Sequence, residues 1–218
     1  IALGAPSTML TTQYRMHPVI REWPSERFYG GQLEDGITAE ERAAPAGFVW
    51  PDWDAPVAFI PVEGVEDTSP DGASKQNMDE AGLAVRVVDM LLSGGDITPH
   101  DIGVVTPYSG QVRLLNDLFE SAGGREQHER YHGLEIKTVD GYQGREKDVI
   151  VLSAVRANEA GEMGFLTDRR RLNVAITRAR RGLIVLGHAR TLRNDSSWAS
   201  WCDWASERGL EAYHVLHM

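Results

Sequence analysis

Four short apolar runs, PVAFIPV (56–62), IGVVT (102–106), DVIVLSAV (148–155) and GLIVLG (182–187), recur along the chain without the polar alternation of a half-solvated strand. Strands apolar on both faces must be covered on both, and a chain of 218 residues can do that with helical crossovers between them. The intervening segments carry the required periodicity. Asn77 is an N-cap candidate with Glu80 three residues on; Leu83, Val87, Met90 and Leu91 follow at helical spacing, and Gly94-Gly95 marks the stop. Ser109 opens a second helix, with Val112, Leu115, Leu118 and Phe119 facing inward and Gly123-Gly124 ending it. Asp168 can cap a helix over 169–180, and another runs from Ser197 to near Gly209. LEIKTV (134–139) and YHVL (213–216) read as further strands. The expected fold is α/β, a mainly parallel central sheet with helices on both faces. One domain covers 1–218, with a loop-rich insertion at about 30–56 that contains Pro45, Pro51 and Pro56.

No segment approaches the run of about 20 apolar residues that crosses a bilayer, so no membrane partner is expected. The single cysteine, Cys202, excludes an intrachain disulfide or thiolate zinc site and points to a reducing, intracellular compartment. The opening IALGAPSTML has neither an initiator Met nor a signal pattern, and the expectation is that the chain starts within a larger protein. The formal charge of −10 is unevenly spread. Residues 137–193 carry 12 Lys+Arg against 6 Asp+Glu, a net of +6, which leaves −16 for the rest. Any polyanion must therefore meet one face.

The densest part of that basic segment is RRRLNVAITRARR (169–181), six arginines in thirteen residues. On a continuous helix, Arg171 and Arg178 would share one face while Leu172, Ile176 and Ala179 face the core, presenting Arg178 as a fixed cation for bidentate contact with phosphate. QYRMHP (13–18) offers Arg15 beside Tyr14, whose ring can stack on a base; His17 reads as a helix-entry or core histidine, with no metal-ligand spacing nearby. In TVDGYQGREKD (138–148), Gly141 and Gly144 permit tight turns. Glu146 can accept from ribose hydroxyls, and Thr138 can reach a phosphate; the loop is placed at the ligand-binding edge of the sheet. TPYSGQ (106–111) follows a buried strand and brings the hydroxyls of Thr106 and Tyr108 to the start of a helix. The series Trp198, Trp201, Trp204 reads as burial under the sheet rather than an interaction stripe.

Taken in order, QYRMHP, FYGGQL (28–33), TPYSGQ, TVDGYQGREKD, SAVRAN and GFLTDRRRLNVAITRAR resemble the C-terminal motor domain of superfamily-one helicases, in the 5′-to-3′ group that includes the nonsense-mediated mRNA decay helicases. The likeness runs over roughly residues 1–210. It implies a RecA-like three-layer fold and, residue by residue, a set of roles. Arg15 and Arg178 would reach the γ-phosphate of ATP bound between two motor domains, and Tyr14 would stack on adenine. Glu146 and the backbone at Gly144 would hold the ribose, while Thr106, Tyr108 and Thr138 would line the path of single-stranded RNA or DNA. No GxxxxGK[ST] segment occurs in the chain. The resemblance places that phosphate loop, and the ligands of Mg²⁺, in a preceding RecA-like domain of the same protein; negligible ATPase is expected without it. A monomer in the cytoplasm or nucleus is further implied. A module that kept the fold but lost catalysis, and a helicase fused to a nuclease, are the competing readings.

Overall fold

The computed structural model describes residues 9–127 and 130–217. The opening residues 1–8, on which the reading of an internal start rested, lie outside them. In chain order the strands are β1 (Thr12–Gln13), β2 (Glu34–Asp35), β3 (Val57–Pro61), β4 (Asp67–Thr68), β5 (Lys75–Gln76), β6 (Ile102–Thr106), β7 (Glu135–Thr138), β8 (Lys147–Ser153) and β9 (Ala179–Gly187). The α-helices are α1 (Pro18–Tyr29), α2 (Met78–Ser93), α3 (Ser109–Gln127), α4 (Arg169–Ile176), α5 (Ala189–Leu192) and α6 (Ser196–Glu207).

All four apolar runs become strands of one sheet, joined by β7, in the order β3-β9-β8-β6-β7 with every pairing parallel. Alternate residues serve two cores. Phe59, Ile150, Leu152, Leu183 and Val185 pack with α1, α4 and α6, whereas Ala58, Ile60, Val104, Val149, Val151, Ile184 and Leu186 pack with α2 and α3. The expected three-layer α/β arrangement is therefore present, and β8, too apolar for an edge, sits inside the sheet. Trp198 and Trp201 are buried, Trp201 meeting Phe59 edge-on with ring centroids 5.4 Å apart, while Trp204 is half-buried. Removing either buried indole would cost about 3–5 kcal/mol.

Several local expectations are corrected. The helix over 169–180 stops at Ile176, because Thr177 turns the chain and β9 already begins at Ala179. Gly123-Gly124 do not end α3, which continues to Gln127. YHVL forms a 3₁₀ turn (Tyr213–His217), and a bridge from Glu211 to Phe59 is the sheet contact there. Within the loop-rich 30–56 segment, Phe48 and Trp50 are buried in the α2–α3 core, and the Trp50 indole fills the space a side chain at Gly182 would need.

Asn77 caps α2 as expected, its side chain accepting from Glu80 N at 3.1 Å, but Glu80 does not complete a capping box. Its carboxyl points inward, accepting from Ser153 Oγ at 2.6 Å and from Val155 N at 2.8 Å. Gln111 Nε2 joins the cluster through Ser153 Oγ and Asn77 O, both at 3.0 Å. Burial pushes the Glu80 carboxyl up to about 8. The bond to Val155 also holds a β-branched residue at φ 72°, a conformation that costs on the order of 1–3 kcal/mol.

Candidate phosphate and nucleic-acid sites

The Tyr14–Met16 turn is built by Gln13. Its Oε1 accepts from Arg15 N (2.9 Å) and Met16 N (2.8 Å), and its Nε2 donates to Met16 O (2.8 Å) and Asp35 Oδ1 (2.7 Å). Arg42 ties the other side, donating to the carbonyls of Arg15 (2.8 Å) and Tyr14 (3.1 Å). With Met16 and His17 buried beneath, Tyr14 and Arg15 are left facing outward. His17 is the helix-entry residue anticipated. Its Nδ1 accepts from Val19 N at 3.2 Å, its own amide donates to Arg180 O at 2.7 Å, and desolvation holds its pKa below the usual value.

That last backbone bond fastens the turn to the amino end of β9, where Arg178 lies. Arg178 is not on α4 but in the turn after it. Its guanidinium folds back over the helix terminus, donating to Val174 O (3.0 Å), Arg145 O (3.4 Å) and Thr177 Oγ1 (3.2 Å). A cation at the carbonyl end of a helix is favourably placed. Arg15 reaches the same turn, its Nη1 donating to Thr177 O at 3.1 Å and its Nε to Glu146. The two guanidinium groups, 163 positions apart in sequence, thus converge on Thr177 with Glu146 alongside. Burial depresses the pKa of Arg178, the neighbouring Arg15 depresses it further, and Glu146 opposes both. Three of the five N–H groups of Arg178 have protein acceptors. Two cations near one carboxylate, which pairs with Arg15 alone, make a site with a positive excess, suited to an oxyanion.

Tyr14 is 66% exposed. Its ring lies directly on Gly36, where a Cβ would fall 2.2 Å from the nearest ring carbon; glycine is required there so that the phenol can lie flat with its other face open. Gly144, at φ 79° with open space around it, gives the loop before β8 its tight turn and is adjacent in sequence to Arg145, which receives the Arg178 bond.

One placement changes. The loop 138–148 does not lie at a single edge of the sheet. Thr138 ends β7 at the carboxyl edge, where its Oγ1 accepts from Gly141 N (3.3 Å), whereas Glu146 precedes β8 at the amino edge beside the arginine pair. Phosphate-type and carboxyl-edge candidates are thus on opposite edges. At the carboxyl edge, Thr106 and Tyr108 are buried rather than presented to a strand. Thr106 Oγ1 accepts from Tyr108 N (3.4 Å), and the Tyr108 hydroxyl accepts from Phe165 N (3.2 Å) and Arg156 Nη1 (3.3 Å) while donating to Met163 O (3.4 Å). Thr138 is half-buried. Of the three hydroxyls expected to touch nucleic acid, that of Tyr108 instead braces the loop 154–168, while those of Thr106 and Thr138 accept from amides two and three residues on. Arg171, expected to face the same way as Arg178, is engaged bidentately by Asp140 (3.0 and 2.7 Å).

Gln13, Gly36 and Arg42 were not singled out in sequence. Gln13 offered a local signal, an amide two and three residues before the amides it accepts from; Gly36 and Arg42 offered none, since their partners come from across a turn. Among the described residues, no cluster of three His, Cys, Asp or Glu has metal-binding geometry, and no helix is long and apolar enough to cross a membrane.

Comparison with known proteins places the chain in a family. Over 199 residues the chain is 41% identical to "Regulator of nonsense transcripts 1 homolog" of Drosophila melanogaster, covering 91% of this chain and 17% of that protein. It is 42% identical over 200 residues to "Regulator of nonsense transcripts 1" of Dictyostelium discoideum, covering 92% of this chain and 15% of the relative. Against "ATP-dependent helicase NAM7" of Saccharomyces cerevisiae the figures are 42% over 199 residues, 91% and 20%. The chain therefore spans about a fifth or less of the length of these curated relatives. Among solved structures, the C-terminal domain of a possible DNA helicase from Lactobacillus plantarum WCFS1 is a distant likeness, at 14% identity and TM-score 0.46, covering 80% of this chain and 87% of that one. The AAA domain profile matches residues 2–190, and on that match the chain belongs to the AAA domain family.

Proposed function

We propose that this chain is the second, RecA-like motor domain of an ATP-dependent 5′-to-3′ helicase acting on single-stranded RNA or DNA. The observation that carries the reading is the convergence of Arg15 and Arg178 on Thr177, at the amino edge of β8 and β9. Arg178 has N–H groups to spare and Arg15 is partly exposed, so both would offer donors, from where they are held, to the terminal phosphate of an ATP placed against the Tyr14 face by a preceding domain. Tyr14 would stack on adenine; Glu146 and the Gly144 backbone would meet the ribose. The Mg²⁺ that accompanies ATP would be held by the preceding domain, so the chain supplies half of a hydrolytic site and is inactive by itself.

The chemistry assigned to the arginines is electrostatic. Charge spreads over the equatorial oxygens during phosphoryl transfer, and guanidinium donors fixed beforehand stabilise it without reorganising. The scaffold supports such fixing, because Arg178 is held by two carbonyls and a hydroxyl, and Arg15 by a carbonyl and Glu146. The strand would run along the opposite, carboxyl edge, and the motor would work as an intracellular monomer. The relatives named for regulating nonsense transcripts support RNA as the substrate. The test is steady-state turnover in the full-length protein: Arg178→Ala should lower kcat by about 100-fold or more with a smaller change in KM. An unchanged kcat removes the proposed role.

A further inference from the structure

The burial of Tyr108 directs attention to the residue it supports. Phe165 begins the second position of a 3₁₀ turn (Gly164–Thr167) between β8 and α4, at the carboxyl edge, and is 56% exposed. An exposed phenyl ring loses the benefit of burial, yet everything around this one fixes it in place. The Tyr108 hydroxyl accepts the Phe165 amide, and the Tyr108 ring lies 5.5 Å from the Phe165 ring, tilted by 44°. Gly164, at φ 52°, has no room for a side chain: a Cβ would meet Arg156 Nη1 at 2.3 Å and the Tyr108 hydroxyl at 2.5 Å. On the far side of the turn, Trp198 Nε1 donates to Leu166 O at 3.0 Å. The ring is thus presented by a rigid turn.

Three arginines stand around it, Arg171 among them already paired with Asp140 and with Asp168. The Arg171 guanidinium carbon stands 5.3 Å from the ring centroid, and Arg169 and Arg170 are exposed on the same first turn of α4. A shallow apolar depression continues from Phe165 past Pro107 and Val139 to Leu172. A rigid exposed aromatic flanked by guanidinium groups is the arrangement that holds a base by its π-face while cations meet the backbone, without regard to sequence.

We propose that Phe165 is a stacking platform for one base of the single strand, with Arg169 and Arg170 facing its phosphates and Tyr108, Arg156 and Gly164 as the residues that position the ring. This rests on the helicase reading above and supplies an exposed contact at the edge where Thr106 and Tyr108 cannot serve.

The test is equilibrium binding of a fluorescent oligouridine to the full-length protein, compared with an oligomer of equal length carrying abasic sites throughout. Wild type should prefer the oligouridine. Phe165→Leu, which keeps an apolar side chain but no π-face, should lose about tenfold in affinity for the oligouridine and little for the abasic strand; Phe165→Trp should retain both. Equal binding of both strands by wild type and Phe165→Leu would overturn the stacking role and leave the helicase reading intact. Intact strand binding by Phe165→Leu with lost ATP turnover would overturn it too, assigning the ring to the contact with the preceding domain. Absence of any strand binding by wild type would instead overturn the helicase reading itself, and this proposal with it.

Discussion

Replacing Glu80 by glutamine isolates a buried carboxyl whose protonation should govern how stability depends on pH. Glu80 is fully buried, its Oε2 accepts from Ser153 and Val155, and its Oε1 has no partner among the described residues. In the folded protein it keeps its proton up to about pH 8, whereas an unburied glutamate loses it near 4.5. The sign follows from proton counting. Between those two values the folded state binds more protons than the unfolded one, so raising the pH favours unfolding. The contribution is fully present below the unfolded pKa and is lost as the pH rises toward the folded one, at about 1.4 kcal/mol per pH unit. From about pH 5.5 to 7.5 the loss amounts to about 2–3 kcal/mol. Glutamine is neutral throughout and can still accept the two hydrogen bonds, so Glu80→Gln should lack this slope. Urea unfolding at several pH values, with wild type and variant compared at each, removes the background from His17 and the ion-paired carboxylates, which is common to both. The difference curve should rise steadily in favour of the variant. Parallel curves across this range would refute the account of the network, because they would mean that Glu80 exchanges its proton equally in both states.

Other expectations follow from the same geometry. Gly36→Ala would push a methyl into the Tyr14 ring, whose atoms lie 2.2–2.6 Å from the new Cβ; KM for ATP should rise as much as in Tyr14→Ala, with kcat nearly unchanged, as steady-state kinetics would show. Arg156→Ala breaks its pair with Glu66, in which both side chains are only 6% exposed, and should destabilise the fold by about 3–5 kcal/mol in chemical denaturation. Asp140→Asn would release Arg171 from its bidentate partner and should tighten single-strand binding by up to about fivefold at low salt, an effect that added salt erases.

Much of the fold was legible because burial on both faces of a strand leaves a mark that no other element needs. All four apolar runs became neighbours in one parallel sheet. The capping signals at Asn77 and Asp168 located helix starts, since a cap is a local contact between a side chain and the next amides, and α3 opens at Ser109 as read. Helix ends were less legible. Gly123-Gly124 are permissive rather than decisive, and α4 stops early because β9 claims the backbone from Ala179 onward, a pairing set by residues far away. At the candidate sites, Arg15, Arg178 and Glu146 were found from residue type and motif, and the structure gathers them. The burial of Thr106 and Tyr108 was not legible, because a hydroxyl after a strand reads the same whether it faces a ligand or, as Tyr108 does, the amide of Phe165 across 57 residues.

The guanidinium groups of Arg15 and Arg178 are assigned to charge that develops at the terminal phosphate. The most direct measurement is the affinity of the full-length protein for ADP with aluminium fluoride, which mimics the phosphoryl group in transfer, beside its affinity for ADP alone. Arg15→Ala and Arg178→Ala should each weaken the aluminium fluoride complex by about 100-fold and leave ADP within about threefold. Equal affinity of wild type and both variants for the mimic, or a parallel loss for ADP, would contradict that assignment.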